Sequence, residues 1–318
     1  MKLLIASAID PATIETLKAT HEVVCAFSPS PEVLKERIAD REVLIFRSGV
    51  SISSEVMTAA PQLKLIIRAG SGFDNIDVEH GKWRGIRLVR IPGPGAQAVA
   101  EMAFALMLGL SRRVLEADRL WRLGRWMKTE MTGFNLSGKT LGIVGCGNIG
   151  TRTGQLGVAL GMNVIGCVEH DSPNVAAHLR KHNITLKSFR EVLTESDFIS
   201  IHVPLQDSTR NLINGDTLAL MKRGAFIVNL ARGGVVNEAA LLRALNDGHV
   251  RGAGLDVHEK EGDGKISPLA GLPNVILTPH IGASTVDAQR EIGKQIMRIM
   301  EAFIAGHPTL GVAENCVM

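Results

Sequence analysis

Three short segments of this 318-residue chain carry side chains suited to gripping an anion and moving a proton. Asn229–Leu–Ala–Arg–Gly–Gly234 places Arg232 directly after a strand-like apolar run, and a guanidinium fork holds a carboxylate through two parallel hydrogen bonds. Gly254–Leu–Asp–Val–His–Glu–Lys–Glu261 leaves a second such run with several acids, and Thr278–Pro–His–Ile–Gly282 carries His280 on backbone stiffened by Pro279. Histidine is the natural proton donor near neutral pH. A carboxylate beside it would orient the ring and favour its charged form. Taken singly, a histidine, an Arg–Gly–Gly turn and an acidic loop are ordinary surface features. Placed after three successive strands of one sheet, they form a constellation with catalytic roles to assign.

A fourth segment has a different chemistry. Gly145–Cys–Gly147–Asn–Ile–Gly150 fits GxGxxG at the point where the strand-like KTLGIVG turns into a helix. The first glycine permits the tight turn, the second lets backbone approach a pyrophosphate, and the third allows close helix–strand packing over a helix N-terminus rich in free N–H groups. Such a site needs an acid about 20 residues on for the adenosine ribose. Val168 ends the second strand there, and Glu169 and Asp171 follow it. The carboxylate is displaced by one position, and Glu169 would repel a 2′-phosphate. No Arg or Lys lies between residues 168 and 179 to attract one, so NAD is expected, with NADP left open by Val168.

The chain is long enough for about two domains. Its 45% hydrophobic content excludes extended disorder, and 35 basic against 32 acidic residues is too balanced for a protein built to neutralise nucleic-acid phosphates. No signal-like core survives Asp10 and Pro11, and the apolar stretch 99–110 is interrupted by Glu101 and too short to span a bilayer, so a cytoplasmic protein is expected. Cys25, Cys146, Cys167 and Cys316 are too scattered for a disulfide framework or a metal site and read as buried thiols; no metal is implied.

Apolar runs at 2–6, 22–26, 42–46, 64–68 and 86–90 predict strands, with helices at 12–19, 31–39, 53–59 and 76–84 between them. Ile91–Pro–Gly–Pro–Gly95 interrupts the pattern and marks a domain boundary. One long helix is expected from Ala98 to about Leu123, its apolar face serving either core packing or a subunit interface. A second series follows: strands at 140–145, 163–168, 198–203, 225–230, 251–257 and 274–278, and helices at 149–160, 174–181, 215–221 and 237–247. Six strands with crossover helices describe a doubly wound parallel sheet. A closing helix, 285–304, belongs to neither count and is free to return to the first domain.

The chain resembles the D-isomer-specific 2-hydroxyacid dehydrogenases, most closely their phosphoglycerate dehydrogenase-like branch. The resemblance runs through nearly the whole length, in Arg68–Ala–Gly–Ser–Gly–Phe–Asp–Asn–Ile–Asp77, Val99–Ala–Glu101, Gly138–Lys–Thr–Leu–Gly–Ile–Val–Gly145, His202–Val–Pro–Leu205, Asn229 to Glu238 and Thr278–Pro–His–Ile–Gly282. It implies two doubly wound α/β domains with a cleft between them: a discontinuous flavodoxin-like substrate domain, 1–96 and 287–318, and a Rossmann-type NAD-binding domain, 97–286. It implies Arg232, Glu261 and His280 as the catalytic trio, with Glu261 rather than Glu259 in register. Cofactor contacts are implied at Gly145, Gly147, Asn148, Ile149, Gly150, Glu169, His202, Pro204, Ala231, Asp256 and Gly282. Substrate contacts are implied at the main-chain N–H groups of Ser71 and Gly72, and at Arg47, Arg232 and His280. A homodimer through the helix after residue 97 is implied as well.

Several positions depart from the family pattern. Val168 replaces the usual ribose-binding Asp, Gly262 stands where proline commonly follows the catalytic Glu, His258 stands where an aromatic is usual, and Arg90 and Gly95 occupy positions more often asparagine. No long extension follows Met318, so a serine-feedback regulatory domain is not expected. Arg47, Arg68, Arg90 and Lys128 are basic residues able to line the first-domain side of the cleft, enough for a second anionic group. The expected activity is hydride transfer between NAD(H) and a small anionic D-2-hydroxy or 2-keto acid, with 3-phosphoglycerate leading and glyoxylate, hydroxypyruvate or another keto acid as alternatives. An NAD(H)-sensing corepressor-like binding protein is the rival from another class. A formate dehydrogenase-like activity fits less well, since that relative has glutamine where Glu261 stands.

Overall fold

The structure, a computed structural model, describes residues 1–307. The chain begins β1 (Lys2–Ile5), α1 (Pro11–Thr20), β2 (Glu22–Cys25), α2 (Pro31–Ile38), β3 (Val43–Phe46), α3 (Ser54–Thr58), β4 (Leu65–Arg68), α4 (Val78–Trp83) and β5 (Arg87–Arg90). It continues through α5 (Gly95–Ser111), α6 (Val114–Arg122), β6 (Thr140–Val144), α7 (Asn148–Ala159), β7 (Asn163–Cys167), α8 (Pro173–Lys181), β8 (Thr185–Leu186), α9 (Phe189–Glu195) and β9 (Phe198–Ile201). It ends with α10 (Gly215–Leu220), β10 (Ala225–Asn229), α11 (Glu238–Asn246), β11 (Val250–Leu255), β12 (Val275–Leu277) and α12 (Val286–Ile304). Two compact units result, one of Met1–Gly95 with the chain from Ser284 onward, the other of Ala96–Ala283. No helix among the described residues is long and apolar enough to cross a membrane.

In the first unit a five-stranded parallel sheet has the order β2-β1-β3-β4-β5. Its central strands β3 and β4 are buried along their whole length, which is why they read as unbroken apolar runs rather than alternating ones. One face packs Leu3, Ile5, Ile45 and Ile67 against Leu17 of α1 and Ile292, Ile296 and Ile299 of α12. The other packs Leu44, Phe46 and Ile66 against Leu34 and Ile38 of α2 and Met57 of α3. Helix starts are written locally: Asp10, Ser30, Ser53 and Asp77 each accept the N–H three residues on, and Pro11 and Pro31 occupy first helical positions that have no N–H bond to lose. Each such cap contributes about 1 kcal/mol.

The second unit holds a seven-stranded parallel sheet, β12-β11-β10-β9-β6-β7-β8, not the six strands expected. The extra strand, β8, is a two-residue edge pairing beside Ile165 and Gly166 of β7, too short to make an apolar run. Helix α9 is likewise additional to the expected elements, with Ser188 and Glu191 closing a capping box at its start. The long helix expected over 98–123 is two helices. Arg113 takes φ +52° between α5 and α6, its Nε and Nη2 donating to Glu116 (2.8 and 2.9 Å) and its Nη1 to the Glu130 carbonyl (2.6 Å). A left-handed arginine breaks a helix without the glycine or proline that would announce it.

Two further expectations need correction. The cysteines are not uniformly buried: Cys25 is exposed and Cys146 half-buried, while Cys167 is buried and Cys316 lies outside the described residues. Lys128 is an exposed residue of the second unit, so it does not belong with the basic residues of the first.

Candidate active site

In the second unit the chain leaves β6 in one direction for β7 and β8 and in the other for β9 to β12, so the switch in strand order falls between β6 and β9, where open α/β sheets bind ligands at their carboxyl ends. Gly145 sits there at φ +97°, a backbone state that L side chains rarely adopt. A Cβ on Gly150 would land on the Gly145 carbonyl, so glycine alone lets α7 start this close to the strand. At Gly147, by contrast, a Cβ would meet open space. Gly147 caps α7 with no side-chain hydrogen bond, leaving first-turn N–H groups at Asn148, Ile149 and Gly150 for an anion. These residues fit a dinucleotide's pyrophosphate. Cys146, inside the turn, is no nucleophile: burial pushes its thiol up to about 12, and that of neighbouring Cys167 to about 11.

Glu169 follows β7, exposed, its carboxylate accepting from Gln206 Nε2 (3.2 Å) and Ser208 Oγ (3.4 Å) in the loop after β9. Pro204 is exposed in that loop. His202, at its start, has Nε2 2.8 Å from Ser200 Oγ and a buried Nδ1 with no partner among the described residues, and burial pushes its pKa down to about 3. An unfolded chain would take up this proton below its ordinary value of 6.5, while the folded chain refuses it until about pH 3. Stability therefore falls as pH drops through that window. The thermal midpoint of His202→Gln should fall less steeply than that of the wild type from pH 7 to pH 4; equal slopes would exclude this account.

The three polar segments follow adjacent strands β10, β11 and β12. After β10, buried Asn229 staples the turn, its Oδ1 accepting from Ala231 N–H (3.0 Å) and its Nδ2 donating to the Arg232 carbonyl (3.0 Å). Arg232 Nη1 donates to the Ala231 carbonyl (2.7 Å). A Cβ on Gly233 would overlap the carbonyl of His258, so this turn packs directly on the one after β11. There, Glu259 is taken away from the site: its Oε1 accepts from Glu238 N–H (2.9 Å), its own N–H donates to Glu238 Oε1 (2.7 Å), and Ser267 Oγ donates to Glu238 Oε2 (2.9 Å). Glu261 is the acid left for His280.

Glu261 Oε2 lies 3.0 Å from His280 Nδ1. A carboxylate only accepts, so Nδ1 carries the hydrogen and Nε2 is the nitrogen left for a reacting group. Burial alone would push the Glu261 carboxyl up, but the His280 hydrogen bond and charge and the His258 amide outweigh it, and the group sits below the usual range. Asp256, buried at the end of β11, builds the turn that carries His280: its Oδ1 accepts from Thr278 Oγ1 (2.6 Å) and Ile281 N–H (2.9 Å), its Oδ2 from Gly282 N–H (2.7 Å). Asn229 bonds within its own turn, whereas buried Glu238 finds its partners, Glu259 and Ser267, in a loop that no spacing rule connects to it.

In the first unit Arg47 follows β3, Ser71 and Gly72 follow β4, and Arg90 ends β5, again on three adjacent strands. The Ser71 and Gly72 N–H groups meet no acceptor among the described residues. Arg47 donates from Nη2 to Ser284 Oγ (3.2 Å) and, with the amide turned to suit its donors, from both Nη atoms to Gln289 (2.9 Å each). Burial lowers its pKa. Arg90 lies 5.3 Å over the Phe73 ring and donates to the Ser71 carbonyl (3.3 Å). Neither guanidinium has a carboxylate partner among the described residues. Arg68 is buried with its guanidinium 5.7 Å from the Phe46 ring, a packed residue rather than an open lining one.

Residues 104–282 match the family model "D-isomer specific 2-hydroxyacid dehydrogenase, NAD binding domain". This decides the family. The chain belongs to the D-isomer specific 2-hydroxyacid dehydrogenases. It is 39% identical over 317 residues to the D-3-phosphoglycerate dehydrogenase of Methanocaldococcus jannaschii, covering 100% of this chain and 59% of that relative. It is 42% identical over 282 residues to the hydroxypyruvate reductase of Thermotoga maritima, covering 88% of this chain and 90% of that one. The Aquifex aeolicus D-lactate dehydrogenase structure, complexed with NAD and lactic acid, superposes with a TM-score of 0.87 at 31% identity, over 99% of this chain and 98% of that one. The chain spans about half to three-fifths of the length of the D-3-phosphoglycerate dehydrogenases it matches. As a family member, its second unit is a nicotinamide-dinucleotide-binding domain.

Proposed function

We propose that the protein is an NAD-dependent D-2-hydroxyacid dehydrogenase, with Arg232, Glu261 and His280 as its catalytic residues and 3-phosphoglycerate as its preferred hydroxy acid. The observation that carries the reading is the 3.0 Å contact of His280 Nδ1 with Glu261, which leaves Nε2 as the nitrogen open to exchange a proton with substrate. Gly145, Gly147, Asn148, Ile149, Gly150, Glu169, His202, Pro204, Ala231, Asp256 and Gly282 would hold a nicotinamide dinucleotide, which would supply or accept the hydride at C2. His280 Nε2 gives the C2 oxygen its proton in reduction and takes it back in oxidation. Glu261 holds the imidazolium through Nδ1. Arg232 binds the substrate carboxylate and polarises the C2 carbonyl, where negative charge develops. The Ser71 and Gly72 N–H groups and the Arg47 guanidinium of the first unit, on the family resemblance, and Arg90, on its place beside Ser71, are assigned to the substrate's anionic groups.

The exposed Glu169 carboxylate after β7 supports NAD over NADP, because its charge would repel a 2′-phosphate. The exposed apolar side chains Leu108 of α5 and Val114, Leu115 and Trp121 of α6 support a homodimer formed through that region. A second substrate reading, hydroxypyruvate reduction, is favoured by the match over 90% of the Thermotoga maritima relative's length.

A panel of 2-keto acids with and without a phosphate, each run with NADH and with NADPH and followed by nicotinamide absorbance, tests the whole reading. Turnover should be fastest with NADH and 3-phosphohydroxypyruvate. Arg47→Ala should raise KM for that substrate by about 10- to 100-fold, the range of a lost charged hydrogen bond, and leave KM for glyoxylate unchanged. Equal KM changes for both would remove the phosphate from the reading, and no turnover with any keto acid would remove the dehydrogenase.

A further inference from the structure

His258 touches Glu261 directly and reaches close neighbours of His280 and Arg232 without being one of the trio. Its backbone N–H donates to Glu261 Oε1 (3.2 Å), and its ring Nε2 lies 3.0 Å from the carbonyl of Thr278, two residues before His280. Its own carbonyl is the atom on which Gly233, the neighbour of Arg232, is packed. A carbonyl only accepts, so Nε2 carries the ring hydrogen. The Thr278 carbonyl then receives two donors, this ring and the N–H of His280 itself (3.1 Å), which also donates to the Asp256 carbonyl (2.7 Å).

The turn needs such fastening. His280 stands at φ +55°, a left-handed state that costs a non-glycine residue about 1 kcal/mol or more and persists only where surrounding contacts enforce it. Asp256 fastens one side of the turn, through Thr278 Oγ1 and the N–H groups of Ile281 and Gly282. The His258 ring fastens the carbonyl on the other. It does so with Nδ1 buried and without a partner among the described residues. An unsatisfied buried nitrogen is a cost that a purely space-filling ring, such as phenylalanine, would not carry.

We propose that His258 is a positioning residue of the dehydrogenase reaction: its amide holds Glu261 and its ring N–H holds the Thr278 carbonyl, so that one residue sets the distance and angle at which Glu261 meets His280. The proposal deepens the reading given under Proposed function and rests on it for its kinetic consequences, but the hydrogen-bond arrangement is measurable without turnover.

The test compares His258→Phe, which keeps the ring and removes the donor, with His258→Gln, whose Nε2 amide restores a donor at nearly the same reach. With the substrate that the wild type turns over best, His258→Phe should lower kcat about tenfold with KM for NADH unchanged and a thermal midpoint within a few degrees of the wild type. His258→Gln should return kcat to within about twofold. A wild-type kcat in His258→Phe, or a glutamine variant no better than the phenylalanine one, overturns the proposal. Independently, long-range 1H–15N spectra of the histidine-labelled full chain should show His258 protonated at Nε2, and the His280 ring signals should move in the phenylalanine variant and return in the glutamine one. A proton on Nδ1 of neutral His258, or His280 signals indifferent to both substitutions, overturns it whatever the kinetics. Should the wild type reduce no keto acid, the dehydrogenase reading fails, and the spectra still decide the positioning of His280. If His258→Phe does not fold, the wild-type tautomer and the glutamine variant decide.

Discussion

His280→Ala should lower kcat for keto-acid reduction by about 100- to 10,000-fold, the range over which a positioned proton donor acts. The dissociation constant for NADH, read by fluorescence titration, should stay within about twofold. The split follows from the geometry. His280 is fixed at its backbone by the carbonyls of Asp256 and Thr278 and at its ring by Glu261, which occupies Nδ1 and leaves Nε2 for the developing alkoxide. In the proposed mechanism, deleting the ring removes the proton source and leaves the glycine-rich turn after β6 untouched, since that turn is built from Gly145, Gly147 and Gly150. Loss of NADH binding together with turnover would mean that His280 holds the cofactor rather than the proton. A kcat near the wild-type value would remove it from the mechanism altogether.

Arg232→Ala should lower kcat/KM by about 100- to 1,000-fold, the cost of removing one preorganised donor from a developing oxyanion. Both kcat and KM should change, because in the proposed mechanism the same guanidinium binds the ground-state carboxylate and the transition state. Arg232→Lys should recover little: an ammonium is a point charge without the fork that matches a carboxylate and a carbonyl at once. The structure sharpens this expectation. Asn229 fixes Ala231 and the Arg232 carbonyl, and Gly233 lies against the His258 carbonyl where no Cβ fits. The guanidinium is therefore presented from a stapled turn, and a lysine ammonium would have to find the same point on a flexible stem. Recovery of full activity by lysine would show that charge alone is used.

Most of the fold was legible because its information is local. Parallel strands covered on both faces read as continuous apolar runs, and Val43–Phe46 and Leu65–Arg68 are of this kind. Pro31 after Ser30 marks a helix start because the cap and the first-turn proline are both satisfied within four residues. What escaped was either too small or set by distant contacts. Thr185–Leu186 is a strand only because β7 is beside it. Arg113 breaks α5 from α6 because Glu116 and the Glu130 carbonyl hold its side chain, and no helix-breaking residue type records that.

The sequence by itself determined the kind of chemistry: a glycine turn that only Gly145 and Gly150 can form, and a guanidinium, an acid and an imidazole after three strands. Residue type and spacing alone left open which acid meets His280, because Glu259 and Glu261 lie in one loop two residues apart, and only the family resemblance pointed to Glu261. Tertiary structure decided it. The first N–H of α11, at Glu238, and the reciprocal bond from Glu259 N–H draw Glu259 away, while the amide of His258 turns Glu261 toward the ring. A hydrogen bond needs its partner within about 3 Å. Residues some twenty positions apart reach that distance only once the sheet has set β10, β11 and β12 side by side.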